Sequence, residues 1–243
     1  DEEGLRLQQP QRQERLRLRG ELLGLRTREQ RVSESSSTRQ TAPMKCAHCD
    51  RTLTTPVVCD YCHALNAGAT LTDYYTLLGL PRQFDIDDQQ LQRRYVALSR
   101  HAHPDFHADA SEDVQDLHLR VSAAMNDAYR TLKDPVSRAG YLLGLLGGRC
   151  SAEDKSVPPG FLETTMMMQE EVAEAAASED EQERHRLRQV LRTQHDGLLR
   201  RLRELFAEHQ QGLGCEAVRS GLLDEIRKQL NAISYVRKLQ SQL

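Results

Sequence analysis

From residue 72 to the C-terminus, apolar positions recur three and four residues apart, the helical period, and strand-like alternation is nearly absent. A short helix is expected from Thr72 to Gly79, stopped by the glycine and then Pro81. The next begins near Asp87, whose side chain can cap it, and sets Leu91, Tyr95 and Leu98 on one face with Arg93 and Arg100 roughly opposite. It ends near Ala102, because Pro104 has no N–H to donate and pushes the residue before it out of helical space. Another helix starts near Ser111, with Leu117, Val121, Met125, Ala128 and Leu132 as its buried stripe. Asp134-Pro135 reads as a stop and restart, aspartate capping and proline in the first helical position. The helix so begun carries Ala139, Leu142, Leu143 and Leu146 and ends at Gly147-Gly148.

A polar linker at 149–159, with Pro158-Pro159, precedes three more helical patterns. One spans about 160–177, one about 179–211 behind a Ser178…Glu181 capping box, and one about 215–242 with Val218, Leu222, Ile226, Leu230 and Ile233 in register. Three amphipathic helices joined by short turns predict an antiparallel bundle. The expected fold is therefore all-α, with helical domains at 72–148 and 158–243 behind a small cysteine-rich module at 44–66.

Composition agrees with helices: 38% of residues are hydrophobic, 28% are charged and Trp is absent. No apolar run approaches the ~20 residues of a membrane-spanning helix. Residues 1–43 hold nine Arg, no Lys and a Ser-Glu-Ser-Ser-Ser-Thr tract, a composition expected to be disordered. Their seven acidic residues argue against a mitochondrial presequence. No methionine precedes Met44, so Met44 is expected to be the true start.

Four of the six cysteines form two Cys-x-x-Cys hooks, Cys46-Ala-His-Cys49 and Cys59-Asp-Tyr-Cys62, nine residues apart; Cys150 and Cys215 stand alone. Each hook sets two thiolates on one side of a tight turn, which is what a tetrahedral four-cysteine zinc site needs. A redox or disulfide pair is the alternative. Four thiolates close the coordination shell, so such a zinc would be structural, with His48 and His63 as neighbours. A disulfide scaffold would spread its cysteines through a shorter chain, so a reducing compartment is expected.

His103-Pro104-Asp105 lies in the loop between the second and third helical patterns. An acid–base pair would need a nucleophile, and none comes with a motif. A metal site of His101, His103, Asp105 and His107 is interrupted by the proline. A solvated His-rich loop is the plain alternative.

Taken in order, Asp73-Tyr-Tyr-Thr-Leu-Leu-Gly-Leu, the Arg93/Arg94 helix, His103-Pro104-Asp105 and Asn126-Asp-Ala-Tyr129-Arg-Thr-Leu132 resemble a J domain. The extension Asp134-Pro135-Val-Ser-Arg138-Ala139-Gly-Tyr141-Leu142-Leu143 narrows the likeness to the HscB family, the J-type co-chaperones of iron–sulfur cluster assembly. The resemblance covers residues 72–243, and the four-cysteine module resembles one that precedes the J domain in some relatives, animal mitochondrial ones among them.

The resemblance implies that His103, Pro104 and Asp105 trigger ATP hydrolysis on a DnaK/HscA-type chaperone, with Arg93, Arg94 and Arg100 as docking charges. It implies that Leu162, Met166 and Glu170 on the first bundle helix, with Tyr235 on the last, hold an IscU-type iron–sulfur scaffold. Glu163 and Met167 depart from the family pattern, as does Phe106-His107 after the tripeptide. The chain would perform no bond chemistry of its own. It would work in the cytoplasm of a bacterium, with the mitochondrial matrix as alternative. Three rivals remain: a general DnaJ-like co-chaperone for folding, a nucleic-acid adaptor using the hooks, and a metalloenzyme around the histidines. The first lacks a Gly/Phe-rich linker, and the second lacks a basic and aromatic cluster on its module.

Overall fold

Asp73 opens the helical region as a cap, its carboxylate accepting from the N–H groups of Tyr75 and Thr76 at 3.1 and 3.2 Å. The computed structural model describes residues 45–53, 56–59, 61–62, 64–102, 111–178, 180–212 and 216–243. The expectations for residues 1–43, His63, His103-Pro104-Asp105, His107 and Cys215 lie outside these. Among the described residues there are seven α-helices and no strand: α1 (Tyr74–Leu77), α2 (Asp88–Ala102), α3 (Glu112–Lys133), α4 (Pro135–Leu145), α5 (Phe161–Ala177), α6 (Glu181–Gln210) and α7 (Glu216–Gln240). A 3-10 turn at Ala67–Leu71 precedes them. No helix among the described residues is long and apolar enough to cross a membrane.

Several boundaries follow the sequence. Asp87 accepts from the Gln89 N–H at 2.8 Å at the start of α2. Asp134 caps α4 through the Ser137 N–H at 2.9 Å, with Pro135 as the first helical residue. Others differ. α1 is a single turn, because Leu78 and Gly79 already leave helical geometry and Gly79 takes a φ of 66°. The cap of α6 is Asp180, which accepts from Gln182 and Glu183, while Ser178 ends α5. The Ser178 hydroxyl instead donates to the Ala175 carbonyl at 3.1 Å and accepts from the Asp180 N–H at 3.3 Å. Leu146 and Val218 are exposed where the periodicity buries them, since each lies at the frayed end of its helix.

α2 and α3 pack as a hairpin over Leu91, Val121, Met125 and Ala128, with Tyr95 stacked on Tyr129 at 4.3 Å. Tyr141 of α4 stacks on Tyr74 at 4.4 Å, and its hydroxyl accepts from the Tyr74 N–H at 2.9 Å, closing α1 onto the hairpin. The same apolar cluster continues into Leu202, Leu205 and Phe206 of α6 and Ile226, Leu230 and Ile233 of α7. Phe84 stacks on Phe206 at 5.0 Å. Each such fully buried side chain contributes about 1.5–3 kcal/mol. A second cluster at the other end of the bundle gathers Phe161 and Val172 of α5, Leu187 and Leu191 of α6 and Val236 of α7. The linker is pinned to α7: Asn231 donates to the carbonyls of Asp154 and Ser156 at 2.9 and 2.8 Å, and Arg227 to that of Arg149 at 2.8 Å.

Candidate functional site

Three groups of residues carry candidate chemistry, and the fold holds them on different elements. The cysteine hooks sit in two antiparallel turns, bridged at Lys45 with Thr52 and at Val58 with Leu65. The Cys46 N–H donates to the Arg51 carbonyl at 2.8 Å and the Cys59 N–H to the Ala64 carbonyl at 3.1 Å. Asp50 takes a left-handed φ of 56° at the first turn. These turns bring the four Sγ atoms within 4.8 Å of one another, Cys46 to Cys62 and Cys49 to Cys59 at 3.5 Å each. A tetrahedral thiolate site, with metal–sulfur bonds of ~2.3 Å, places its sulfurs ~3.8 Å apart, so the four can hold a metal ion. None is in a disulfide.

Their electrostatics are uneven. Cys59 is lowered to about 6 by the N–H groups of Cys62 and Tyr61. Cys62 is pushed to about 12: the Ala64 N–H lowers it, but burial and the hydrogen bonds to Cys46, Cys59 and Cys49 outweigh that. The four thiols thus resist joint ionisation until a cation compensates the charge. His48 is exposed. Val57 and Val58, between the hooks, join the main core, so aliphatic contacts anchor the module to it.

The second group is the outer face of α2. Arg93, Arg94 and Arg100 are all exposed. Arg93 makes a loose ion pair with Asp87 at 3.7 Å, both side chains largely in solvent, an arrangement that leaves the guanidinium available. The helix is acidic at its start, at Asp88, and basic at its end, at Arg100 and His101, which suits its dipole. The Tyr95 hydroxyl donates to Asn126 Oδ1 at 2.6 Å and the Tyr129 hydroxyl to Gln92 Oε1, fixing the hairpin under this face. Periodicity names Tyr95 as a core position and gives no sign of these polar links.

The third group is on the bundle. Leu162 and Met166 of α5 are 53% and 67% exposed, Glu170 is exposed, and Tyr235 of α7 is 44% exposed. The buried side of α5 is Phe161, Thr165, Val172 and Ala175, so the Leu162–Met166–Glu170 stripe points away from the core. Met167, beside it, is also 67% exposed. Phe161 and Tyr235 lie with ring centroids 6.2 Å apart, which brings Tyr235 next to the start of α5. Leu162, Met166 and Met167 thus present leucine and thioether side chains to solvent along α5, and Tyr235 is exposed on α7 near the start of that helix.

The chain matches two family models, the DnaJ domain over residues 73–141 and the HSCB C-terminal oligomerisation domain over residues 157–243. It is 35% identical over 164 residues to the co-chaperone protein HscB homolog of Neisseria meningitidis serogroup B, covering 67% of this chain and 99% of that protein. It is 49% identical over 75 residues to co-chaperone protein HscB of Proteus mirabilis, covering 31% of this chain and 43% of that protein. Among solved structures it resembles human co-chaperone protein HscB, with a TM-score of 0.67 and 25% identity over 82% of this chain and 95% of that one. It also resembles the chaperone HscB from Vibrio cholerae, with a TM-score of 0.57 and 30% identity over 70% of this chain and 94% of that one. The human likeness covers more of the chain than residues 73–243 can supply, so it extends into the segment ahead of the J domain. With nearly the whole length of a 35%-identical relative matched, the chain belongs to the HscB family of J-type co-chaperones.

Proposed function

We propose that this protein brings a DnaK/HscA-type ATPase chaperone to an IscU-type iron–sulfur scaffold and stimulates its ATPase, promoting cluster assembly and transfer. The trigger is His103-Pro104-Asp105 in the J domain, taken as residues 72–148, and the docking charges are Arg93, Arg94 and Arg100. Exposed guanidinium groups suit this work, since they steer association and pair with carboxylates bidentately. The scaffold is held on the bundle, residues 158–243, by Leu162, Met166, Glu170 and Tyr235. The observation that carries the reading is the pairing of a J domain with a bundle whose first helix turns an apolar stripe to solvent, Met166 being 67% exposed. A hydrolytic reaction happens in the partner; this chain sets its timing and its cargo.

The metal of the cysteine module is proposed to be Zn2+, held by Cys46, Cys49, Cys59 and Cys62 in a structural role. Four thiolates suit a d10 ion without geometric preference and leave no open position for substrate.

The test is the ATP hydrolysis rate of a DnaK/HscA-type chaperone with scaffold, with and without this protein. Stimulation is expected from the parent and not from His103→Gln. Equal stimulation by both refutes the mechanism. Binding of many unfolded clients and no scaffold would point instead to a general folding co-chaperone.

A further inference from the structure

Pro104 removes the N–H that would close the α2 ladder on the carbonyl of Arg100, so α2 ends on carbonyls without intrahelical donors. The last of them belongs to Ala102, which is fully buried and cannot turn to water for a partner. Two side chains of α3 reach this one oxygen. Ser122 Oγ donates to it at 2.8 Å, and His118 Nδ1 lies 3.2 Å from it. A carbonyl only accepts, so the ring nitrogen facing it carries the hydrogen.

His118 and Ser122 are four residues apart, which puts them on neighbouring turns of one face. That face otherwise carries Val121 and Met125, and packing alone would select aliphatic side chains there. His118 is only 4% exposed. Burying an imidazole beside a hydroxyl is costly unless both are hydrogen-bonded, and here the same oxygen serves both. Apolar contact lets two helices slide by fractions of a turn, whereas two directional bonds to one atom do not.

The geometry points to His118 and Ser122 as positioning residues that pin the C-terminal end of α2 to α3, and so fix the point from which His103-Pro104-Asp105 departs. This rests on the trigger role proposed for that tripeptide. The residue that the trigger follows directly in sequence is Ala102, while Arg93, Arg94 and Arg100 stand on the same helix. Holding the helix end therefore sets the docking charges and the trigger's point of departure in one frame. Removing either donor lowers the fraction of molecules that present both together, which raises the concentration needed for half-maximal stimulation and leaves the maximal rate nearly unchanged.

The experiment measures single-turnover ATP hydrolysis by a DnaK/HscA-type chaperone against concentration of the full chain, for the parent, Ser122→Ala, His118→Ala and the double variant. Each single change is expected to raise the half-maximal concentration about two- to tenfold, the range one carbonyl hydrogen bond supports. His118→Asn and Ser122→Thr, which keep a donor in place, are expected to recover most of it. Affinity for the scaffold is expected to stay at the parental value, and the 13C shift of the Ala102 carbonyl is expected to move in Ser122→Ala. A folded double variant with the parental curve overturns the inference. Where His118→Ala does not fold, Ser122→Ala with its unshifted carbonyl or unshifted curve does so alone. A parent that gives no stimulation overturns the proposed function instead, and the carbonyl shift then still reports whether the two donors hold the helix end.

Discussion

The Asp134–Arg237 contact offers a measurable link between the J segment and the last helix of the bundle. Arg237 donates to the two Asp134 oxygens at 2.8 and 3.4 Å, while the same carboxylate caps α4 through Ser137. Burial opposes ionisation of Asp134, but the Arg237 and Ser137 hydrogen bonds prevail and hold it at about 2, against an ordinary value of 3.8. That difference corresponds to about 2–2.5 kcal/mol at most. The side chains are 36% and 42% exposed, so solvent screening reduces the pair to about 1 kcal/mol. The folded-state value is depressed, so this stability is fully present above about 4, where the unfolded chain is also ionised. It is lost as pH falls from there through about 2. Asp134→Asn keeps a capping side chain and should cost about 1 kcal/mol at pH 7; Asp134→Ala also loses the cap and should cost about 2 kcal/mol. Arg237→Ala should cost about 1 kcal/mol, and combined with Asp134→Asn little more than either alone. Urea unfolding at pH 7 and pH 3 measures the cycle, with the coupling reduced at the lower pH. Strict additivity at pH 7, or a coupling that grows on acidification, would refute the reasoning.

The other contacts make further demands. Phe206→Ala removes a side chain 2% exposed that stacks on Phe84 across the two segments, and should cost about 3–5 kcal/mol in urea unfolding; under 1 kcal/mol would mean the two do not share a core. Leu162→Ala with Met166→Ala should change stability by no more than about 0.5 kcal/mol each while weakening scaffold binding by about tenfold or more in calorimetry. A loss of folding would instead show the stripe to be core. Chelation, or Cys59→Ser, should lower the melting temperature of the main transition, because Val57 and Val58 belong to the main core. An unchanged transition, with metal gone by elemental analysis, would show the module to be energetically separate. Arg93→Ala with Arg94→Ala should weaken stimulation and flatten its dependence on salt, without moving the melting temperature.

Most of the helices are legible in the sequence because their apolar stripes are long. Val121, Met125, Ala128 and Leu132 are read as one face of α3 and are buried as one face. The cysteine hooks are equally legible, since the spacing lets each turn gather two sulfurs and the nine residues between bring the pairs together. What periodicity cannot supply is the identity of the neighbour. Leu202, Leu205 and Phe206 give α6 an apolar side, but that Phe206 meets Phe84 ahead of α2 depends on a contact more than a hundred residues apart in sequence. Nor does the period decide between capping candidates: Ser178 and Asp180 both suit a helix start, and only the geometry of the α5–α6 turn assigns the cap to Asp180. The α5 stripe shows the limit most clearly. Leu162 and Met166 have the spacing of a core face, and so do Phe161, Thr165 and Val172, one residue out of phase. A helix in a three-helix bundle has room to bury only one of the two. Phe161 is the larger and Val172 the stiffer, and burying that side satisfies the Thr165 hydroxyl within the helix, on the Phe161 carbonyl at 2.7 Å. Burying the other side would take Glu170 out of water without a partner. The carboxylate decides the phase, and the leucine and methionine that share its face are left in solvent.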